Sequence, residues 1–295
     1  MCIRDRHGLV GYRVLDPARG ILVNQLTGWE SEGLDPATWQ AAPTVFERAR
    51  AEGRPTFAVG VAAYAASGFT RATLRGAEFV AAQTPAERVE VAYDLAESHP
   101  GSLIYCYLPE ADKAGHRYGL DSVQWVSALE EIDAALSRRV PPGVGVLVTS
   151  DHGMVDVPVH RQVVLEAEHL DGVRHIGGEP RMLHVYVEPD ADAAVVAERW
   201  RRDLEGLADV GTGQEAIASG FFGPEVTSAA ATRIGDVLVV ARGNGAVYDG
   251  TAADQRGRGM IGQHGGLTPE ERQVPLLRFG AVSYTHLRAH ETKAN

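Results

Sequence analysis

Cysteine is nearly absent from this chain, with two in 295 residues, at Cys2 and Cys106. Two thiols cannot build an intrachain disulfide framework or a cysteine-rich zinc site. Cys106 falls inside an apolar run and reads as inert core. Long apolar runs are missing too. None approaches the roughly 18 residues at which a membrane-spanning helix is read. Basic charge is in short supply, with 28 Lys and Arg against 39 Asp and Glu and a formal net charge of -11 at pH 7. That balance argues against non-specific binding to a nucleic-acid backbone, which needs basic patches. An acidic protein can still hold a phosphate group through bound cations. No internal repeat or low-complexity segment is found. Neither the oligomeric state nor the compartment can be read from the chain; the cytoplasm is the default.

What the chain does contain is an alternation of strand-like and helix-like stretches. Leu22 to Thr27 is a short candidate strand, Thr44 to Glu52 a helix ending at Gly53-Arg54-Pro55, and Thr56 to Val61 a strand. Thr84 to Ser98 predicts a helix, because Thr84 can cap it, Pro85 suits its first position and Glu87 supplies the acid three residues on. Ser102 to Tyr107 follows as a strand. Ser122 to Arg139 predicts a helix with Val123, Val126, Leu129, Ile132 and Leu136 on one face. Val144 to Thr149, after the turn signal Pro141-Pro142-Gly143, is rich in β-branched residues and reads as a buried strand. This alternation predicts the α/β class, with a mainly parallel sheet flanked by helices. A hydrophobic content of 44% is ample for one large domain. From Arg161 to Gly259 the character changes. Leu183 to Val187 and Asp236 to Ala241 read as strands, Ala191 to Leu207 as an amphipathic helix, and the stretch as a small inserted α+β lobe. Thr251 to Gly262, rich in Gly and Arg, reads as a return loop, since it lacks the strand–loop–helix setting of a phosphate loop.

Three clusters carry chemistry. Asp151-His152-Gly153 stands at the tip of the apolar run that ends at Ser150. The carboxyl ends of strands are where ligands bind in open α/β sheets. Asp offers a hard oxygen and His an imidazole nitrogen, the usual zinc set outside thiolate sites. A strand-end Asp capping the next turn, beside a surface His, would look the same. Asp112 and His116 are four residues apart and follow another strand. On one helical turn, or in a tight loop, both can face a single ion. Gly262-Gln263-His264-Gly265-Gly266 sets a third His between glycines, which allow close approach to a crowded site. Any one cluster could be structural. All three in one α/β chain predict a metal site.

The ordered combination resembles the type I phosphodiesterase and nucleotide pyrophosphatase family, within the alkaline phosphatase superfamily. The likeness rests on Tyr107 to Gly119 with Asp-x-x-x-His, Val146 to Met154 with Ser-Asp-His-Gly-Met, and Gly262 to Leu277 with Gln-His-Gly-Gly and Val-Pro-Leu-Leu. His7-Gly8-Leu9-Val10-Gly11 is similar to the segment that follows the family's nucleophile region. The resemblance runs from about His7 to Gly280. It implies an alkaline-phosphatase-like domain over residues 7–281, with the lobe at 161–259 inserted in it. It implies two divalent ions, zinc in the family, with Asp151 and His152 on one and Asp112, His116 and His264 on the other. Two such ions about 4 Å apart can clamp the attacking and leaving oxygens of a phosphoryl displacement. The implied reaction is hydrolysis of a phosphodiester or phosphoanhydride bond in a small phosphodiester or nucleotide. A phosphomonoesterase or phosphomutase on the same metal core is the alternative. A metal-free, non-catalytic relative is another, against which the retention of all five ligands argues.

Two departures matter. Many relatives carry an Asn four residues after the Gly of His-Gly, where its amide helps hold a phosphate oxygen; here Tyr12 stands there, as a substrate contact or as a packing residue. The family's nucleophile and first metal-binding Asp lie upstream of His-Gly, so no catalytic nucleophile is expected within this sequence. The ends bear on this. Val282-Ser283-Tyr284-Thr285-His286 can be encoded by a string whose reverse complement encodes Met1-Cys2-Ile3-Arg4-Asp5. Both ends thus resemble one transposase adapter read in opposite orientations, and residues 1–6 and 282–295 are expected to be non-native. His160, His169, His175 and His184 read as surface or core, and Asp133 and Asp156 as solvated or capping.

Overall fold

Thr44, Thr84 and Thr212 each open a helix in the same way. The hydroxyl accepts from the backbone N–H three residues on, and the Glu at that position reaches back to the threonine's own N–H. The pairs are Thr44 with Glu47, Thr84 with Glu87, and Thr212 with Glu215. These boxes satisfy donors that the first helical turn would otherwise leave orphaned. The helix expected after Thr84 accordingly runs Pro85–Ser98. The structure, a computed structural model, describes residues 7–281. The segments 1–6 and 282–295, expected to be non-native, lie outside the described residues.

The chain divides into two compact units, neither of them continuous in sequence. The first takes in the chain up to Ala42, Gly115–Ser122 and Asp151–Gln273. Its largest sheet has six strands, in the order Ala208–Thr212, Val237–Ala241, Met182–Val187, Val173–Glu179, Arg13–Asp16 and Ile21–Asn24. Every ladder in it is antiparallel. The hairpin Arg13–Asn24 joins it through Arg13 opposite Gly178. One face is closed by the helix Ala193–Asp203. Val196, Ala197 and Trp200 from that helix pack with Leu183, Val185, Val237 and Val239 from the strands. At roughly 1.5–3 kcal/mol for burying a large apolar side chain, this cluster is a main source of the unit's stability. Residues 161–259, the stretch expected to form a lobe, fall within this unit.

The second unit takes in Pro43–Ala114, Val123–Ser150 and the chain from Val274. Here the strand–helix alternation produces a parallel sheet of three strands, Glu78–Ala81, Thr56–Gly60 and Leu103–Cys106. Val59, Ala82 and Ala92 form its core beneath the helix Pro85–Ser98, with Leu95, Ile104 and Cys106 around them. Burial pushes the Cys106 thiol up to about 11, which makes it unreactive, as expected for core. Two features differ from local expectation. The strand Gly145–Thr149, expected to be buried, is partly exposed and pairs antiparallel with Leu276–Gly280, a partner from far along the chain. The helix Val123–Leu136 packs with Pro85–Ser98, but its buried residues are Ala128 and Ala135. Val123, Val126 and Leu129, on the expected apolar face, are exposed.

Candidate metal centre

His116 lies in the last turn of the helix Glu110–Tyr118, one turn after Asp112. The Ile261 N–H donates to the His116 carbonyl at 2.9 Å. The ring returns to the same segment, with His116 Nδ1 2.8 Å from the Gly262 carbonyl oxygen. A carbonyl only accepts, so Nδ1 carries the proton and Nε2 is the nitrogen left free to face a ligand. Gly262 permits this approach, because a Cβ there would meet Met154 Sδ at 2.4 Å and the Gly115 carbonyl oxygen at 2.5 Å. His264 follows two residues later, its ring centroid 5.1 Å from that of His116. Asp112 stands one turn before His116 on the same helix, and His116 and His264 are brought together within their unit.

Asp151 and His152 follow the strand Gly145–Thr149, as expected. His152 Nδ1 lies 2.9 Å from the Gly153 carbonyl oxygen, so here too the proton sits on Nδ1. His152 Nε2 and Asp151 Oδ1 are 3.7 Å apart. A tetrahedral zinc with bonds of about 2.0–2.2 Å spans about 3.4 Å between two ligand atoms. The two acceptors are thus spaced to share a cation. The His152 and His264 rings stack, with centroids 3.5 Å apart, so the second cluster touches the first through its imidazole.

The donor set fits a divalent metal. His264 Nδ1 is buried with no hydrogen-bond partner, a costly arrangement unless a ligand completes it. Burial first, and then the His152 and His116 charges, pull His264 down to about 2. The ring is neutral at any ordinary pH and keeps a lone pair to offer.

Sequence reasoning missed the carboxylates behind these rings. Glu179 Oε2 stands 2.6 Å from where a Cβ on Gly265 would be. Burial raises its carboxyl above the usual range, against the pull of the nearby His152 and the Tyr12 N–H. Glu271 is wholly buried with Arg181. Its only legible signal is the Thr268-x-x-Glu271 capping pattern. The Tyr12 hydroxyl accepts from Asn24 Nδ2 at 2.9 Å. The other histidines sit as expected. His184 is core, at 1% exposure, and His175 Nε2 meets the Gly20 carbonyl oxygen at 3.1 Å. Asp156 caps the turn at the Leu120 N–H, at 3.0 Å. Among the described residues no helix is long and apolar enough to cross a membrane.

Residues 4–267 match the description of the type I phosphodiesterase / nucleotide pyrophosphatase family. Two curated phosphopentomutases are similar over a shorter stretch. That of Sinorhizobium medicae (strain WSM419) is 34% identical over 118 residues, and that of Rhizobium meliloti (strain 1021) 32% over 117. Each match covers 38% of this chain and 27% of the relative's length. Among solved structures, murine ectonucleotide pyrophosphatase / phosphodiesterase 5, inactive and in complex with AMP, has a TM-score of 0.64 at 16% identity, over 94% of this chain and 72% of that one. Phosphonoacetate hydrolase from Sinorhizobium meliloti 1021, with phosphonoformate, has a TM-score of 0.65 at 19% identity, over 92% of this chain and 74% of that one. At such identities the likeness speaks for the fold, which is α/β and alkaline-phosphatase-like.

Proposed function

Because the chain belongs to the type I phosphodiesterase/nucleotide pyrophosphatase family, we propose that it serves a metal-dependent hydrolase of phosphodiester or phosphoanhydride bonds. The observation that carries this reading is the meeting of the His116, His264 and His152 rings, with Asp112 one turn before His116 on the same helix. These three are assigned to one divalent ion, and Asp151 with His152 to a second. Zinc suits a set of carboxylates and imidazoles. Divalent ions bound there would supply Lewis-acid polarisation of a phosphoryl oxygen and neutralise charge that develops on it.

The chain's own residues have narrower tasks. The carbonyls of Gly262 and Gly153 hold the protons of His116 and His152 on Nδ1 and so fix the nitrogen that ligates. Burial keeps His264 unprotonated. Tyr12 is assigned a contact to a phosphate oxygen through its hydroxyl proton. The substrate class is a small phosphodiester or nucleotide; the murine neighbour holds AMP and the Sinorhizobium neighbour a small phosphonate. No residue of this chain is given the nucleophile's role. Residues 7–281 are read as one domain with 161–259 as an insertion. The two phosphopentomutase matches favour a second reading, a phosphomutase or phosphomonoesterase on the same metal core.

The test compares an aryl phosphodiester, bis(4-nitrophenyl) phosphate, with the monoester 4-nitrophenyl phosphate. Both are offered, with and without zinc, to this chain and to the full-length protein of its native gene. Zinc-dependent diester hydrolysis by the full-length protein is the expected result. A preference for the monoester moves the function to the second reading. Diester turnover by the chain as it stands would place the nucleophile within it. Turnover of neither ester by the full-length protein would remove the hydrolase reading.

A further inference from the structure

Behind the two stacked histidines lies a buried ion pair that nothing in the chemistry above uses. Arg181 and Glu271 are 0% and 1% exposed. They meet side-on, with Arg181 Nε donating to Glu271 Oε1 at 2.6 Å and a terminal nitrogen donating to Oε2 at 2.7 Å. Arg181 spends its remaining donors on the carbonyl oxygens of Gly243, at 2.8 Å, and Gly245. Its own carbonyl accepts from the Ala241 N–H at 2.9 Å, where two interior strands of the six-stranded sheet lie side by side. Glu271 is thereby tied to the rigid part of its unit.

From that anchor Glu271 reaches both histidine loops. Its Oε1 accepts from the Gly266 N–H at 2.8 Å, two residues after His264. Its backbone carbonyl accepts from the Gly153 N–H at 2.8 Å, one residue after His152. The remaining bonds, from the Thr268 N–H at 3.2 Å and hydroxyl at 2.8 Å, are those of a helix cap. Capping accounts for Thr268 and leaves Gly266 and Gly153 unexplained. Stability is a weak explanation as well, because desolvating two charges offsets most of their attraction, and well-packed apolar residues often replace a buried pair at no loss.

We propose that Glu271 is a positioning residue: anchored by Arg181, it sets the spacing between the His152 and His264 loops and so pre-forms the site for two ions. The assignment of those ions rests on the function proposed above; the spacing itself does not. Groups behind metal ligands are worth about 10–100-fold in metal affinity, because they hold the ligands in place.

Two variants test it. Glu271→Gln keeps the side chain's size and one carbonyl oxygen but removes the charge that Arg181 holds. The double variant Arg181→Met/Glu271→Leu removes the pair without stranding a buried charge. Each is compared with the parent by melting temperature, by zinc titration calorimetry, and by the histidine-ring 1H–15N spectrum of the metal-free protein. The double variant is expected to melt close to the parent. In both variants the His152 and His264 ring signals shift or broaden, while those of His99 and His175 hold. Zinc affinity falls about 10–100-fold. If the double variant does not fold, the Gln variant is judged by the same spectra. Unchanged His152 and His264 signals in a folded variant would overturn the proposal, whatever the zinc result. A parent that takes up no zinc, with signals that still shift in the variants, would sink the metal assignment and leave the spacing role standing.

Discussion

The imidazole rings of His152 and His264 lie face to face, centroids 3.5 Å apart and planes within 15°. One ring comes from the end of a strand and the other from a glycine-rich loop more than a hundred residues later. The contact joins the two candidate ligand clusters. His264 is the better placed of the two for a test, because it stacks on His152 and also approaches His116, with ring centroids 5.1 Å apart.

His264→Ala should lower zinc affinity by more than about 100-fold, beyond the roughly 10–100-fold cost of losing a group behind the ligands. Titration calorimetry at pH 7 reads this directly. His175→Ala, at a ring held by the Gly20 carbonyl, is the control and should leave affinity unchanged. Equal zinc binding by the His264 variant and the parent would exclude His264 as a ligand.

Gly153→Ala should damage the same site sterically. A Cβ at Gly153 would stand 1.9 Å from the Glu270 carbonyl oxygen. Backbone cannot swing aside as a side chain can, so the Asp151–His152 loop must move away. The expected cost is about 1–3 kcal/mol, the usual range for overpacking, with weaker zinc binding. Urea unfolding measures the first effect. A variant as stable as the parent would mean that the loop relaxes freely.

His184 predicts a stability loss on the acid side. Burial drives it from the ordinary value of 6.5 down to about 4. The unfolded chain therefore takes up a proton as pH falls through about 6.5 while the folded protein does not. Stability from this group is whole above pH 6.5 and is lost progressively down to about pH 4. The scale is on the order of 3 kcal/mol at about 1.4 kcal/mol per unit. His184→Gln should flatten the profile over that window in denaturant titrations taken at successive pH values. Parallel profiles for variant and parent would contradict it.

Thr84→Ala should cost about 1 kcal/mol by removing one half of a capping box. Thr84→Ser keeps the acceptor and should restore most of it. Thermal unfolding of the three proteins decides the matter, and equal melting temperatures throughout would show that the cap contributes nothing.

Local signals carried much of this molecule. Thr84, Pro85 and Glu87 announce a helix because each satisfies a donor, or lacks one, within the first turn. Asp112 and His116 share a face because one helical turn separates them. The three segments with candidate ligands were legible because their residue types are chemically unusual at strand ends and between glycines, and the family pattern ties them together.

Other features had no local signal. The stripe Val123, Val126 and Leu129 has helical spacing, yet the helix buries Ala128 and Ala135. Periodicity shows that a helix has an apolar face but does not say which neighbour that face will meet. The strand Gly145–Thr149 continues an α/β alternation, yet its ladder is antiparallel with Leu276–Gly280. Glu271 carries no local signal beyond a short helix-cap pattern and was missed in the sequence; only the fold brought Arg181 and both histidine loops to it.

By itself, the sequence determined the class of the fold, most of the elements and the five candidate ligands, since these depend on hydrogen bonds and side-chain patterns within a few residues. Which strands pair, which faces close and which charge stands behind the histidines were decided by the tertiary structure. Those contacts join residues far apart in the chain, so no local pattern announces them.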